Sequence, residues 1–299
     1  MKKKLGFVGL GNMGGRITRR LIAAGHAVLG FDTTPGRAEA CGAAPARSLA
    51  EVAKTANTIL LSLPDSTVVE PVAAEILQNT KTGQVVVDLS TAAPGSTMRL
   101  AARFAERGAS YIDAGISGGA AAAEKGTLTL MVGGDKAAAD KLKDVFAPFA
   151  TKVVYMGASG AGHTTKLLNN FLNAVSLAAT AEVMVAGKKA GLDLHLLLEV
   201  LNASSGVNFA TLNRFPKIVD GDYLEGGLTG KLMTKDVVLY VDRLHELGVA
   251  SLNAAGPMAS FGLGTALGYG DQISNRVVDA IGDVCGGIRL NDPKGKERK

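Results

Sequence analysis

At 299 residues, 47% apolar and 20% charged, the chain has the composition of a globular protein, and its length suits one large or two medium domains. Its 38 glycines fall in clusters without a fixed period, which excludes collagen-like and low-complexity readings, and no apolar stretch reaches the roughly 18 residues of a membrane-spanning helix. The formal charge of +5 sits largely in Lys2, Lys3 and Lys4 and in Lys294, Lys296, Arg298 and Lys299, so solvated ends explain it better than a nucleic-acid footprint.

The first apolar run, Leu5-Gly6-Phe7-Val8, follows those lysines directly. Glycines, Asn12 and Arg16 interrupt it and no small-residue cleavage pattern closes it, so no secretory leader is expected. Cys41 and Cys285 form neither a metal spacing nor a disulfide framework, which points to a reducing, cytoplasmic setting. Neither a membrane nor a nucleic acid is expected as a partner.

Up to about residue 160, short apolar runs alternate with helical segments. The runs are Leu5–Val8, Ala27–Phe31, Thr58–Leu63, Val85–Asp88, Ser110–Asp113, Leu128–Val132 and Val153–Tyr155. Most are continuously apolar, as strands are when helices cover both faces of a parallel sheet. Helix formers fill the segments between them, as in Met13–Ala24 and Pro94–Arg107. This alternation predicts a doubly wound α/β domain over 1–162. After Gly162 the strand pattern stops. A long helix is expected over Thr164–Ala190, ended by Gly191, with further helices at Leu194–Leu201, Lys235–Leu247, Leu252–Leu267 and Ile273–Cys285. An all-α domain over 163–290 and a disordered basic tail over 291–299 complete the expected organisation.

Gly9-Leu10-Gly11-Asn12-Met13-Gly14 follows the first run and opens the first helix. A first glycine permits the tight turn, a second lets backbone approach a pyrophosphate, and a third lets helix pack on strand, while free N–H groups at the helix start take the phosphate charge. The position of this pattern between a strand and a helix makes it a Rossmann-type dinucleotide site. Asp32 ends the second run, where an acid binds the adenosine ribose hydroxyls. A carboxylate there disfavours a 2′-phosphate, so NAD is preferred over NADP, with Arg37 able to soften that preference. A turn role for Asp32 ahead of Thr33-Thr34-Pro35 is the alternative.

Three later segments also carry polar groups in ordered places. Leu63-Pro64 and Ser90-Thr91 end predicted strands, at the carboxyl edge where an open sheet places ligands. In Asp113-Ala114-Gly115-Ile116-Ser117-Gly118-Gly119, Ser117 offers a hydroxyl while Gly118 and Gly119 expose N–H groups that can accept a carboxylate. In Gly160-Ala161-Gly162-His163-Thr164-Thr165-Lys166-Leu167-Leu168-Asn169-Asn170, Lys166, Asn170 and Asn173 fall on one helix face. An ammonium and two amides on an apolar helix are costly to bury without partners or a task. A lysine facing an enclosed site has its pKa lowered, which suits proton transfer near neutral pH. A snorkelling lysine at a domain edge is the plainer alternative. His163 is expected to be solvent-exposed.

Together these segments resemble, in order and over nearly the whole chain, the β-hydroxyacid dehydrogenase family, which includes 3-hydroxyisobutyrate dehydrogenase and tartronate semialdehyde reductase. The resemblance implies an NAD(P)-dependent oxidoreductase that moves a hydride between nicotinamide and a small hydroxy acid or semialdehyde. It implies Lys166 as general acid–base group, with Ser117, Gly118, Gly119, Asn170 and Asp236 at the substrate. Gly9, Leu10, Gly11, Asn12, Met13, Gly14, Asp32, Leu63, Pro64, Thr91 and Lys235 would then hold the cofactor, and no metal is implied. The family's D-A-P-V-S-G-G loop has proline where this chain has Gly115. A homodimer or homotetramer is implied as well. Imine reductases of the same fold usually lack the lysine. Silent dinucleotide-binding relatives also lose it and add DNA-binding or reader segments, which this chain does not.

Overall fold

The apolar runs alternate between two buried layers, residue by residue. In the computed structural model, which describes residues 3–292, Leu5 and Phe7 join one core cluster while Val8 joins a second. Likewise Leu60, Val87 and Ile112 face the first layer, and Ile59, Leu61, Val86 and Tyr111 the second. Successive strand side chains point to opposite faces, so a strand covered on both sides must be apolar throughout.

The strands are β1 (Lys4–Val8), β2 (Ala27–Phe31), β3 (Ala44–Pro45), β4 (Thr58–Leu61), β5 (Val85–Asp88), β6 (Ser110–Ser117), β7 (Leu128–Gly133) and β8 (Ala150–Gly157). They form one sheet in the order β3-β2-β1-β4-β5-β6-β7-β8. β1 pairs in parallel with both β2 and β4, so the winding direction reverses between β1 and β4. Their carboxyl ends therefore open a crevice.

Two features depart from a purely parallel sheet read off the runs. β3 is only two residues long, too short to carry a pattern. β6 extends through Ser117, beyond the run ending at Asp113, and β7 pairs antiparallel to it. The short helix Gly119–Lys125 is all that separates them, and it returns the chain in the opposite direction. β8 then resumes parallel pairing with β7.

The chain divides into two compact units, Met1–Lys166 and Leu167–Lys299. The second is helical among the described residues apart from a single bridge between Thr229 and Ile273. Its helices are Leu194–Asn202, Phe209–Asn213, Phe215–Ile218, Gly230–Glu246, Ala255–Ala266 and Val277–Val284, packed with the later part of Ala161–Lys189. Phe171, Met184, Phe215, Met233, Val237 and Phe261 fill its core, and Phe171 stacks on Tyr240 at 3.7 Å between ring centroids. The tail expected to be disordered lies, beyond Asp292, outside the described residues.

The long helix Ala161–Lys189 starts against the sheet, and Asp113 holds that start. Its fully buried carboxylate accepts from the Gly160 N–H and the His163 N–H, each at 2.9 Å. Two N–H groups that the first turn cannot satisfy internally are thereby paired. Small residues make the approach possible: a Cβ on Gly162 would lie 2.3 Å from the Met131 carbonyl oxygen. Asp113→Ala should destabilise the protein by about 2–5 kcal/mol, because two buried N–H groups lose a charged acceptor. Asp113→Asn, keeping one acceptor oxygen, should fall between the two in chemical denaturation.

Candidate functional site

The glycine turn sits at the point where the sheet reverses. Gly9 adopts φ +86°, and a Cβ there would meet the Ser62 carbonyl oxygen at 2.3 Å, so the turns after β1 and β4 approach too closely for any side chain. Gly14 is as constrained, because its Cβ would lie 1.9 Å from the Gly9 carbonyl oxygen. Gly11 differs. A Cβ on it would meet only Arg37 Nη1, at 3.7 Å, so its open side faces space that a ligand can use. Gly11 also stands at the N-cap of the helix Asn12–Ala23, where no capping side chain occupies the first turn among the described residues. An open glycine before an uncapped helix start is what a pyrophosphate requires. The residues present fit a dinucleotide.

The neighbouring loops are tied to one another. The Leu63 N–H donates to Ser90 Oγ at 2.9 Å, and the Ala93 N–H to Ser66 Oγ at 2.7 Å. Leu63 and Thr91 are partly buried and Pro64 is exposed, so all three segments expected at the cofactor border the crevice at the carboxyl ends of β1, β4 and β5.

Asp32, just past β2, faces the same turn. Its Oδ2 accepts from the Leu10 N–H at 2.7 Å and its Oδ1 from the Thr34 N–H at 2.8 Å, while Arg37 Nη1 lies 3.3 Å from Oδ1. Burial pushes the carboxyl up, but the Thr34 and Leu10 N–H groups and the Arg37 guanidinium outweigh it and hold the pKa below the ordinary value. Asp32 is thus a charged group fixed beside the glycine turn, and its turn role through Thr34 coexists with that placement.

Further along the sheet, Gly118 (φ +122°) and Gly119 (φ +68°) both take left-handed backbone, which turns their exposed N–H groups away from regular pairing. Ser117, the last residue of β6, is partly exposed beside them. Two residues earlier on the same strand, Gly115 meets the long helix: a Cβ there would stand 2.7 Å from Lys166 Cβ and 3.3 Å from its Cγ. The Lys166 stem therefore lies on the β6 backbone, one short step from the Ser117 turn. Lys166 itself is partly buried.

His163 corrects the expectation of an exposed side chain. It is fully buried, with Nδ1 2.7 Å from Thr97 Oγ1. The Asp113 anchor draws the first helical turn into the sheet, and the imidazole goes with it. Asp113 and Thr97 were not singled out from sequence for this support. A buried-anchor role for Asp113 leaves no trace in spacing.

In the helical unit, Asn170 and Asp236 meet. Asn170 Nδ2 donates to Asp236 Oδ2 at 2.5 Å, and Lys235 Nζ lies 3.1 Å from Asp236 Oδ1. Both Asn170 and Asp236 are buried, so the carboxylate fixes the amide's orientation. No cluster of three or more potential metal ligands occurs among the described residues.

Comparison with known proteins gives this arrangement its context. Residues 4–157 match the model of the NAD binding domain of 6-phosphogluconate dehydrogenase. Residues 160–280 match the NAD-binding model of NADP-dependent 3-hydroxyisobutyrate dehydrogenase. The chain is 34% identical to 2-(hydroxymethyl)glutarate dehydrogenase of Eubacterium barkeri, over 95% of its own length and 96% of the relative's. It is 35% identical to NAD-dependent L-serine dehydrogenase of Pseudomonas aeruginosa, over 87% and 90%. A solved structure of 3-hydroxyisobutyrate dehydrogenase from Mycobacterium tuberculosis with L-serine superposes with a TM-score of 0.86 at 30% identity, covering 93% of this chain and 98% of that one. The chain belongs to the β-hydroxyacid dehydrogenase family. It is an NAD(P)-dependent dehydrogenase that acts on the CH–OH group of a small hydroxy acid.

Within the β-hydroxyacid dehydrogenase pattern, Gly115 is the departure, standing where the family motif has proline. The close contact with Lys166 gives it a physical meaning: without a side chain at 115, strand and helix backbones come closer than a proline ring allows. Gly115→Ala should force the helix start to shift and cost about 1–3 kcal/mol, read from thermal or denaturant unfolding. Wild-type stability in that variant would show that the two backbones yield freely there.

Proposed function

We propose that the enzyme oxidises acids of the form HOCH2–CHR–COO⁻ to their semialdehydes, and reduces them in reverse, with Lys166 as the acid–base group. The substrates named for the three relatives share this unit: 3-hydroxyisobutyrate, serine and 2-(hydroxymethyl)glutarate are each a primary alcohol on the carbon next to the one bearing the carboxylate. They differ only in R.

The observation that carries the reading is the seat of Lys166 against Gly115, two residues before Ser117 on one strand. Two strand residues span about 6.6 Å. That separation keeps a carboxylate held at the Ser117 turn within a few bond lengths of a hydroxyl at the lysine. Ser117 Oγ and the N–H groups of Gly118 and Gly119 receive the carboxylate. The hydroxyl then falls to Lys166 Nζ, which takes its proton as the carbinol carbon becomes a carbonyl and returns it in the reduction. Asn170, its amide oriented by Asp236, hydrogen-bonds the reacting oxygen or the lysine. Gly9, Gly11, Gly14, Asp32, Leu63, Pro64, Thr91 and Lys235, with the intervening Leu10, Asn12 and Met13, hold the dinucleotide, which when bound supplies the hydride acceptor or donor.

The Asp32 carboxylate favours NAD, since a 2′-phosphate would meet a negative charge. A cytoplasmic setting is in keeping with two free thiols, Cys41 and Cys285, and with the lack of any described helix long and apolar enough to cross a membrane. Exposed Leu168, Leu172, Leu196 and Val200 on the helical unit support a homodimer or homotetramer.

Lys166→Ala should lower kcat by about 10²–10⁴-fold while the dissociation constant for NADH, read by fluorescence, stays within about twofold; turnover near the wild-type rate would remove the lysine from the reaction. Asp32→Ser should raise the NADP/NAD ratio of kcat/KM by about tenfold or more, since Arg37 would remain to meet the phosphate. An unchanged ratio would mean that Asp32 serves the turn alone.

A further inference from the structure

Asp88 ends β5 as a fully buried carboxyl that pairs with no cation among the described residues. Each of its oxygens has a donor of its own: the Ser90 N–H gives to Oδ1 at 3.0 Å and the Tyr111 hydroxyl to Oδ2 at 2.8 Å. A buried carboxyl without a counter-charge is costly where an apolar residue would end the strand equally well, so its place calls for a task. Tyr111 comes from the neighbouring strand β6, in register with Val86. It is 2% exposed and its ring packs on Phe104 at 5.4 Å between centroids, so it can touch no ligand. Burial pushes the phenol well above its ordinary pKa and the Asp88 carboxylate pushes it the same way, which keeps the hydroxyl protonated as a donor.

The carboxyl passes this constraint to the crevice. By accepting from the N–H two residues on, Asp88 closes a side-chain turn that fixes the backbone of Ser90. Ser90, itself buried, then accepts through Oγ from the Leu63 N–H at 2.9 Å, in the loop after β4. Leu63 in turn abuts the glycine turn, because its Cδ2 lies 2.9 Å from where a Cβ on Gly9 would stand. The path from the Tyr111 hydroxyl to the loop beside Gly9 is therefore continuous, through Asp88 and Ser90. The torsion that turns an aspartate carboxyl is soft, so a donor on one oxygen alone leaves it able to rotate. The phenol on the other oxygen removes that freedom.

We propose that Tyr111 is a positioning residue for the dinucleotide: from inside the core its hydroxyl sets cofactor affinity, by holding Asp88 and through it the loops of Ser90 and Leu63. The inference rests on the reading of Leu63, Pro64 and Thr91 as cofactor-holding residues given above, and adds to it what holds them in place.

The test uses full-length enzyme and NADH or NADPH, whichever the wild type binds more tightly. It reads the dissociation constant of the cofactor by fluorescence beside kcat at saturating cofactor and substrate. Tyr111→Phe, which keeps the ring on Phe104, should raise that constant by about 5- to 20-fold and leave kcat within about twofold. Ser90→Ala should weaken binding to a similar extent, and the double variant should add no more than about twofold to either, since both cut one chain of contacts. Val52→Ala, which opens a cavity in the same buried layer, should lower the unfolding midpoint yet leave the dissociation constant within about twofold. If Tyr111→Phe fails to fold, its combination with Asp88→Asn removes the charge together with the donor. That enzyme should bind the cofactor about 5- to 20-fold more weakly than Asp88→Asn alone. Wild-type affinity without the hydroxyl, a weakening matched by Val52→Ala, or additive effects of Tyr111→Phe and Ser90→Ala would overturn the role of Tyr111. Wild-type affinity in Ser90→Ala removes these loops from the cofactor site, and the underlying reading falls with this one; weakened binding in Ser90→Ala with none in Tyr111→Phe removes Tyr111 alone.

Discussion

The anchoring of the long helix by the Asp113 carboxylate is the interaction on which the rest of the site depends. Lys166 lies three residues past the second N–H that Asp113 holds, so the lysine's place on the β6 backbone follows from where that helix begins. The anchor in turn needs space that only glycine leaves. A Cβ on Gly133 would come 2.7 Å from Asp113 Oδ1, and one on Gly162 would come 2.9 Å from Oδ2. One buried carboxylate and three glycines, Gly115 included, thus convert a sheet end into a mount for an ammonium group. Each is unremarkable alone, and together they leave the helix start one well-packed position.

Charge is handled differently at the crevice between β1 and β4. There the helix Asn12–Ala23 presents an open start, and Asp32 and Arg37 stand beside it as a tethered pair. The backbone N–H groups of Leu10 and Thr34 keep Asp32 ionised, so a fixed negative charge stands beside the positive pole of the helix start. Arg37, which pairs with that charge at 3.3 Å, is the more exposed of the two.

The sheet was legible from sequence because its chemistry is periodic. β2 and β5 coincide with their apolar runs, since burial on both faces keeps the central residues of each strand apolar. The turn Gly9–Gly14 was legible because Gly9 and Gly14 each answer a separate steric demand, while Gly11 leaves its side open. What escaped was whatever depends on contacts distant in sequence. The antiparallel pairing of β7 arises from a short return helix and not from any run pattern, and β3 is two residues joined to β2. His163 is polar and stands beside a glycine-rich turn, so local chemistry places it in solvent. It is buried because Asp113, fifty residues earlier, draws its backbone in.

The start of the long helix and its later turns are held by different parts of the protein. The start is constrained by glycines: a Cβ on Gly115 would stand 2.7 Å from Lys166 Cβ, and one on Gly162 would stand 2.3 Å from the Met131 carbonyl oxygen. The later turns carry Phe171, Ala174 and Leu177 into the helical core, where a change of side chain disturbs no strand and no anchor. A substitution there can therefore leave Lys166 in place, because the helix start is held from the sheet while its later turns are packed by the helical core.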